Sequence, residues 1–111
     1  MNEKYARQMK KGVFDMLVLK LLEKQQKYGY QLISELKEKS GELFLLKEGT
    51  LYPILYRLED DGLVQSNWSS PQEKQMARKY YQITDKGKET LHEIAELWIG
   101  ISHGVQQIME D

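Results

Sequence analysis

The chain contains no cysteine and only two prolines among its 111 residues, and it has no long hydrophobic run. Without cysteine, neither a disulfide bond nor a thiolate metal site is available. The most apolar stretch, residues 13–22, is interrupted by Asp15 and Lys20. It is shorter than the roughly 18 apolar residues that a membrane helix needs. We recognise no signal peptide, so we expect a cytoplasmic protein with no membrane association.

Apolar residues make up 41% of the chain and charged residues 30%, which is typical of one soluble globular domain. The net charge is −1, but it is unevenly distributed, since residues 89–111 contain no lysine or arginine. A nucleic-acid-binding surface is therefore not excluded. Basic side chains concentrate in two segments, Lys4, Arg7, Lys10 and Lys11 in the first and Lys74, Arg78, Lys79, Lys86 and Lys88 in the second. The first group is interpretable either as an arm along a DNA backbone or as a solvated terminus.

Three amphipathic helices are predicted in the first half of the chain, at about residues 4–24, 29–39 and 49–61, because apolar residues recur there at helical spacing. The second ends near Gly41, since glycine tolerates a positive φ. In the third helix, Thr50 or a residue close to it is the candidate N-cap, and Pro53 is expected in the first turn, where proline is tolerated. Its inward stripe consists of Leu51, Ile54, Leu55 and Leu58.

Two strands and a final helix are predicted in the second half. Residues 63–68 and 79–83 form a hairpin, and Thr84 caps the last helix. Along that helix, apolar residues alternate in steps of three and four, which predicts pairing with a second copy. This dimerisation seam comprises Leu91, Ile94, Trp98, Ile101, Val105 and Ile108. The expected fold is mainly α with a small β-hairpin (α+β), namely a winged helix-turn-helix domain (residues 1–87) with a C-terminal dimerisation helix (residues 88–111).

The third predicted helix and the hairpin carry the candidate DNA contacts. When the leucine stripe turns inward, the opposite side of the helix presents hydroxyl, phenol and guanidinium groups, which suit contacts in a major groove. Basic residues of the hairpin then lie beside the phosphate backbone. The candidates are Thr50, Tyr52, Pro53, Tyr56 and Arg57 on the helix, and Lys74, Arg78 and Lys79 on the hairpin.

Four segments together resemble the PadR family of bacterial transcriptional regulators, and they span nearly the whole chain: Tyr28–Leu32, Glu48–Glu59, Asp61–Val64 and Arg78–Gly87. The resemblance implies a winged-helix homodimer that represses transcription by binding operator DNA. It also implies that the Gly-Thr-Leu-Tyr-Pro helix enters the groove while the wing follows the backbone. Tyr28 joins the candidate DNA contacts on this basis.

The resemblance is to the short form of the family, with one C-terminal helix. Some short members bind flat aromatic drugs at the dimer centre, against a tryptophan of the last helix. Trp98 falls at the matching position, so the resemblance makes Trp98, Ile101 and Ser102 candidates for binding a small planar aromatic or phenolic ligand. The alternative is that Trp98 is simply buried between helices.

Enzymatic function is not expected. His92 and His103 are about three turns apart on one helix and cannot share a metal ion there. We find no nucleophile and base at motif spacing and no glycine-rich phosphate loop, so no cofactor or metal is predicted. The rival to DNA binding is a winged helix that binds another protein.

Overall fold

The computed structural model describes residues 2–70 and 76–111. The predicted architecture, a mainly helical winged helix-turn-helix with a C-terminal helix, is confirmed. The sheet is antiparallel and has the strand order β1-β3-β2. The elements in chain order are α1 (Glu3–Lys11), α2 (Phe14–Leu22), β1 (Lys27–Tyr28), α3 (Gly29–Lys39), α4 (Glu48–Asp60), β2 (Val64–Trp68), β3 (Lys79–Ile83) and α5 (Asp85–Met109).

The first predicted helix is in fact two helices, so the prediction of one helix over residues 4–24 was wrong. The chain turns at Gly12, and the Val13 amide donates to the Lys10 carbonyl at 3.0 Å, one residue short of α-helical spacing. The break separates an exposed helix from a buried one. Phe14 and Val18 of α2 are buried in the core, whereas α1 buries none of its residues.

Helices α3 and α4 form the helix-turn-helix over a leucine-rich core. Leu51, Leu55 and Leu58 are completely buried, and Ile54 is only partly buried. Burying each leucine contributes about 1.5–3 kcal/mol relative to leaving it exposed. The expected left-handed stop after α3 is present, since Gly41 has φ +61°.

The start of α4 differs from the prediction. Of the candidates at or near Thr50, Thr50 itself is not the cap: the N-cap is Lys47, which makes no side-chain capping hydrogen bond. Pro53 consequently lies in the second turn rather than the first. It has no amide hydrogen to donate to the Gly49 carbonyl, but Gly49 is exposed, so water can satisfy that oxygen.

The hairpin matches its prediction closely, and a third strand was missed. Val64 pairs with Ile83, and Trp68 pairs with Lys79 at the other end of the β2–β3 ladder. Strand β1 adds Tyr28 opposite Tyr80. A two-residue strand is too short for an alternating pattern, which is why the sequence did not reveal it.

Helix α5 begins as predicted and is anchored at its first turns. The Thr84 hydroxyl oxygen accepts from the Gly87 amide at 3.0 Å and donates to the Gly62 carbonyl at 2.7 Å. Leu91 is only 5% exposed and belongs to the core. The far half of α5 leaves most side chains exposed, which contributes to the elongated dimensions of 61 × 32 × 21 Å. Within residues 2–70 and 76–111, no helix combines the length and apolar character needed to cross a membrane.

Candidate nucleic-acid interface

The outer side of α4 presents four of its five predicted DNA contacts to solvent, Thr50, Pro53, Tyr56 and Arg57. Tyr52 is the exception, because its ring is half-buried against α3. A Cβ atom added to Gly29 would lie 2.6 Å from the Tyr52 hydroxyl oxygen, so the Tyr52 ring packs directly on this glycine. Burial, followed by the nearby Glu48 and Tyr56, raises the pKa of Tyr52. Tyr52 therefore packs α4 on the start of α3.

Arg57 is exposed but already has a partner within the protein. Its two terminal nitrogens donate to the two carboxylate oxygens of Asp15 on α2, at 2.7 and 2.8 Å. The hydrogen bonds to Asp15 raise the pKa of the guanidinium group, so it stays charged. This bidentate pair fixes one side of α4 to α2, and the remaining donors of the guanidinium stay available.

The basic residues of the hairpin are held against tyrosine rings. The Arg78 guanidinium lies 4.5 Å from the centre of the Tyr28 ring, and the Lys79 ammonium lies 5.4 Å from that of Tyr56. Tyr28 also meets Tyr80 edge to face, with ring centres 5.4 Å apart. Cation–π contacts of this kind contribute about 0.5–1 kcal/mol at exposed sites. They hold Lys79 of the wing, the β2–β3 hairpin, against α4, and Arg78 against the N-cap residue of α3.

The hairpin extends past its strands toward the tip. The Ser69 amide donates to the Arg78 carbonyl at 2.8 Å, and the Arg78 amide donates to the Ser69 hydroxyl at 2.8 Å. Lys74, also a predicted DNA contact, lies outside the described residues.

The predicted dimerisation seam divides into two parts. Leu91 is in the core of its own subunit and Ile94 packs against that core, so Leu91 is corrected from an interface residue to a core residue. The other four are exposed: Trp98 by 48%, Ile101 by 61%, Val105 by 54% and Ile108 by 77%. Leu97, exposed by 64%, extends this stripe and was missed, because it follows Ile94 by three residues and so breaks the strict alternation of steps of three and four.

Trp98 borders an apolar groove of about 600 Å³ between α1, α2 and α5. Tyr5 and Met9 of α1, Leu17 of α2 and Phe44 of the α3–α4 connection also line it. The structure brings Trp98 to this groove but not Ile101 or Ser102, the other two candidate ligand residues. The Ser102 hydroxyl is buried and has no hydrogen-bond partner within the described part of the chain.

Sequence reasoning missed the residues that position the candidate contacts. Asp15 stands within an apolar run, and a single acid there gives no sign of its partner 42 positions later. Tyr80 and Gly29 are likewise ordinary in sequence, and their roles arise from strand pairing and helix packing. These contacts join residues that are distant in sequence, so only the folded chain reveals them.

The family profile described as "Transcriptional regulator PadR-like family" matches residues 18–93 of the chain. The chain belongs to this PadR-like family. A solved PadR family regulator from Eggerthella lenta is 33% identical, covers 97% of this chain and 91% of its own length, and superimposes with a TM-score of 0.86. The family resemblance inferred from the four sequence segments is therefore confirmed, and with it the winged-helix fold.

A better-described relative in the PadR-like family is the negative transcriptional regulator PadR of Bacillus subtilis. It is 33% identical over 81 residues, which are 73% of this chain and 44% of that protein. The crystal structure of B. subtilis PadR in complex with operator DNA has a TM-score of 0.65 to this chain and 32% identity, covering 73% of this chain and 45% of the other. The chain thus spans less than half of that PadR.

Proposed function

We propose that this PadR-like regulator represses transcription by binding operator DNA as a homodimer, with α4 in the major groove and the β2–β3 hairpin along the phosphate backbone. The observation that carries the proposal is the contact between Lys79 and Tyr56 on the exposed side of α4, with Arg78 held against Tyr28 at the start of α3. Cations at the edge of a helix that enters a groove lie close to phosphates. The relative from B. subtilis, a negative regulator crystallised with its operator, supports the same assignment.

DNA binding is tested with a duplex selected by the protein from a random library and a shuffled duplex of equal length. We expect affinity for the selected duplex to fall steeply with salt, because phosphate contacts release counterions. Arg78→Gln and Lys79→Gln should weaken binding to both duplexes. Tyr56→Phe keeps the ring beneath Lys79 but removes the hydroxyl, and Thr50→Ala removes the other exposed hydroxyl. These two changes should also alter sequence preference.

A matched control is Lys24→Gln, which removes one exposed charge from the segment after α2. It should leave affinity and the salt slope nearly unchanged. Equal affinity for the two duplexes, or binding that does not respond to salt, would contradict the proposal. A salt-insensitive complex with a protein instead of DNA would favour the protein-binding alternative.

Dimerisation is proposed through the exposed apolar stripe of α5, defined by Leu97, Trp98, Ile101, Val105 and Ile108. Five large apolar side chains left in water on one helix are costly, and a second copy of the helix is their natural partner. The apolar side of α1, with Tyr5 and Met9 exposed by 56% and 75%, widens this surface.

The dimer is tested by sedimentation of Ile101→Glu and Ile108→Glu, each of which introduces a charge into the stripe. Both should sediment as folded monomers, because neither side chain belongs to the core of its subunit. Gln107→Glu, a charge on the opposite side of α5, is the control and should leave the dimer intact. A dimer that survives both isoleucine changes would place the interface elsewhere.

We also propose that the groove beside Trp98 takes a small planar aromatic ligand that releases the repressor. Its size lies within the range of small-molecule sites, and its lining is mostly apolar and aromatic. In a Trp68→Phe background, Trp98 is the sole source of indole fluorescence. Quenching by planar aromatics, weakened by Tyr5→Ala, is expected, whereas a diverse panel without any quenching would mean that Trp98 only packs.

A further inference from the structure

A second basic surface lies between α1 and the start of α4. A groove of about 600 Å³ separates the two helices there. Arg7 and Lys10 of α1 line one wall, and Thr50 of α4 together with its N-cap Lys47 lines the other. One acid, Glu3, also borders the groove, so three positive charges face one negative charge. We call these three cations, Arg7, Lys10 and Lys47, the α1 flank.

The cations of the α1 flank are not used by the fold. Among the residues that the structure describes, none of the ion pairs involves any of the three. Arg7 and Lys47 are exposed, and Lys10 is partly buried. Other lysines of this protein do find acids, as Lys27 does with Glu35 at 2.6 Å. Unpaired charges concentrated in one groove point to an anionic partner outside the chain.

The α1 flank lies on the side of α4 opposite to the wing. Thr50 and Arg57 are about two turns apart and share one side of α4, which faces α1 and α2. Tyr52 and Tyr56 share the other side, and Tyr56 contacts Lys79 of the wing. Between these two sides lies an exposed strip of α4 that carries Gly49 and Pro53, whose side chains donate no hydrogen bond. Positive charge therefore lines both edges of this strip.

A helix in the major groove has a phosphate backbone on each side, since the groove is about 12 Å wide and a helix fills it. In the proposed function, the wing contacts the phosphates of one of these backbones. We propose that the α1 flank binds the phosphates of the other backbone of the same duplex, so that Arg7, Lys10 and Lys47 are DNA contacts. This inference rests on the proposed function, and it assigns α1 to the DNA interface in addition to the dimer.

The test compares two double variants of the full chain, Arg7→Gln/Lys10→Gln and Lys4→Gln/Lys11→Gln. Each removes two positive charges from α1, but only the first pair lines the groove. Glutamine is about as good a helix former as the residues replaced. Affinity for the library-selected duplex and for its shuffled counterpart is measured at several salt concentrations, and thermal unfolding verifies that both variants fold.

We expect Arg7→Gln/Lys10→Gln to weaken binding to both duplexes without changing the ratio between them. The slope of log affinity against log salt should fall by roughly one for each phosphate that the variant no longer neutralises. Lys47→Gln, on the other wall, should act in the same direction. The Lys4→Gln/Lys11→Gln variant should keep the wild-type slope.

Equal slopes for the two double variants would overturn the inference, because the effect would then reflect net charge alone. A second pair of results would also overturn it. Calorimetry would show that the wild-type groove binds free inorganic phosphate and that Arg7→Gln/Lys10→Gln does not, while this variant keeps the wild-type salt slope on DNA. Wild-type protein without salt-dependent duplex binding is a different outcome. It would refute the proposed function itself.

Discussion

Both carboxylate oxygens of Asp15 on α2 accept hydrogen bonds from Arg57 on α4, at 2.7 and 2.8 Å. The side chains keep 29% and 53% exposure, and solvent screening weakens such pairs. We expect Asp15→Asn to lower the free energy of unfolding by about 0.5–1 kcal/mol. The same change removes a negative charge beside the proposed DNA surface, so affinity for DNA should rise. Urea unfolding and fluorescence anisotropy measure the two effects.

The control for Asp15 is Glu38→Gln, which removes an exposed acid of α3 with no ion pair among the described residues. It should alter stability and affinity much less. Weaker DNA binding by Asp15→Asn would contradict the prediction, because it would mean that Asp15 orients Arg57 toward the nucleic acid.

Gly87 is predicted to be irreplaceable in the first turn of α5. A Cβ atom there would overlap the Leu63 carbonyl oxygen and lie 2.7 Å from Cγ1 of Ile83. The Leu63 oxygen cannot move freely, because it accepts from the Thr84 amide at 3.0 Å. We expect Gly87→Ala to destabilise the protein by about 3 kcal/mol, measured by urea unfolding. Gly12→Ala, where nothing lies within 4 Å, should be nearly neutral.

Much of the fold followed from the sequence because its signals are local. Helix α3 and strand β3 have the predicted bounds, since spacing, a glycine stop and a Thr84 cap act within a few residues. The break at Gly12 was missed because the apolar residues of α1 and α2 merge into one amphipathic pattern. Only the packed structure reveals that α2 buries its apolar side in the core while α1 leaves its own exposed.

The candidate interface was predictable in outline and not in detail. The exposed positions of α4 follow from the inward leucine stripe, which helical periodicity defines. The half-burial of Tyr52 and the core position of Leu91 depend on what packs opposite them, which periodicity does not encode. Charge counts located the two basic segments, but only the fold places Arg7 and Lys10 beside α4.

The Tyr81 side chain is buried with its hydroxyl group unpaired in the described part of the chain. The residue is fully buried, and its oxygen has no hydrogen-bond partner within the described part of the chain. An unsatisfied buried hydroxyl is costly, so Tyr81→Phe should raise the free energy of unfolding at neutral pH by about 1 kcal/mol. Thermal unfolding measures the change. A large loss of stability would reveal a partner for that oxygen.

Alkaline pH gives a second prediction for Tyr81. Burial raises the pKa of Tyr81 from 10.0 to about 12. The unfolded chain therefore ionises first, and stability falls as the pH rises from about 10 to about 12. This part of the fall should be absent in Tyr81→Phe. Tyr80→Phe, at the adjacent half-buried position, should keep the wild-type decline.

Lys27 and Glu35 form a partly buried ion pair at 2.6 Å, with the Lys27 side chain only 7% exposed. Glu35→Gln leaves a nearly buried ammonium unpaired. We expect it to cost about 3 kcal/mol of unfolding free energy, the low end for removing one partner of a buried pair, because Glu35 retains some contact with water. Lys27→Met/Glu35→Leu should be closer to the wild type than Glu35→Gln alone. A double variant less stable than Glu35→Gln would contradict this.

The pair also predicts acid sensitivity. Burial opposes ionisation of Glu35, but hydrogen bonds from Lys27 and Lys39 outweigh it, so the pKa of Glu35 lies below its usual 4.5. The stabilisation is therefore complete above that usual value and is lost as the pH falls through the lowered pKa. Below the usual pKa of glutamate, the free energy of unfolding should therefore fall less with decreasing pH in Glu35→Gln than in the wild type.

Helix α5 is one uninterrupted rod of 25 residues, about 37 Å long, clamped at its base by Gly87 and Leu91. A one-degree tilt at that base displaces its tip by about 0.6 Å. In the proposed dimer the C-terminal halves of the two α5 helices are held together. A tilt of α5 at its base therefore changes the separation of the two α4 helices. A molecule bound beside Trp98, part-way along α5, would thus change the spacing between the two DNA half-sites that the dimer can bind by tilting this helix.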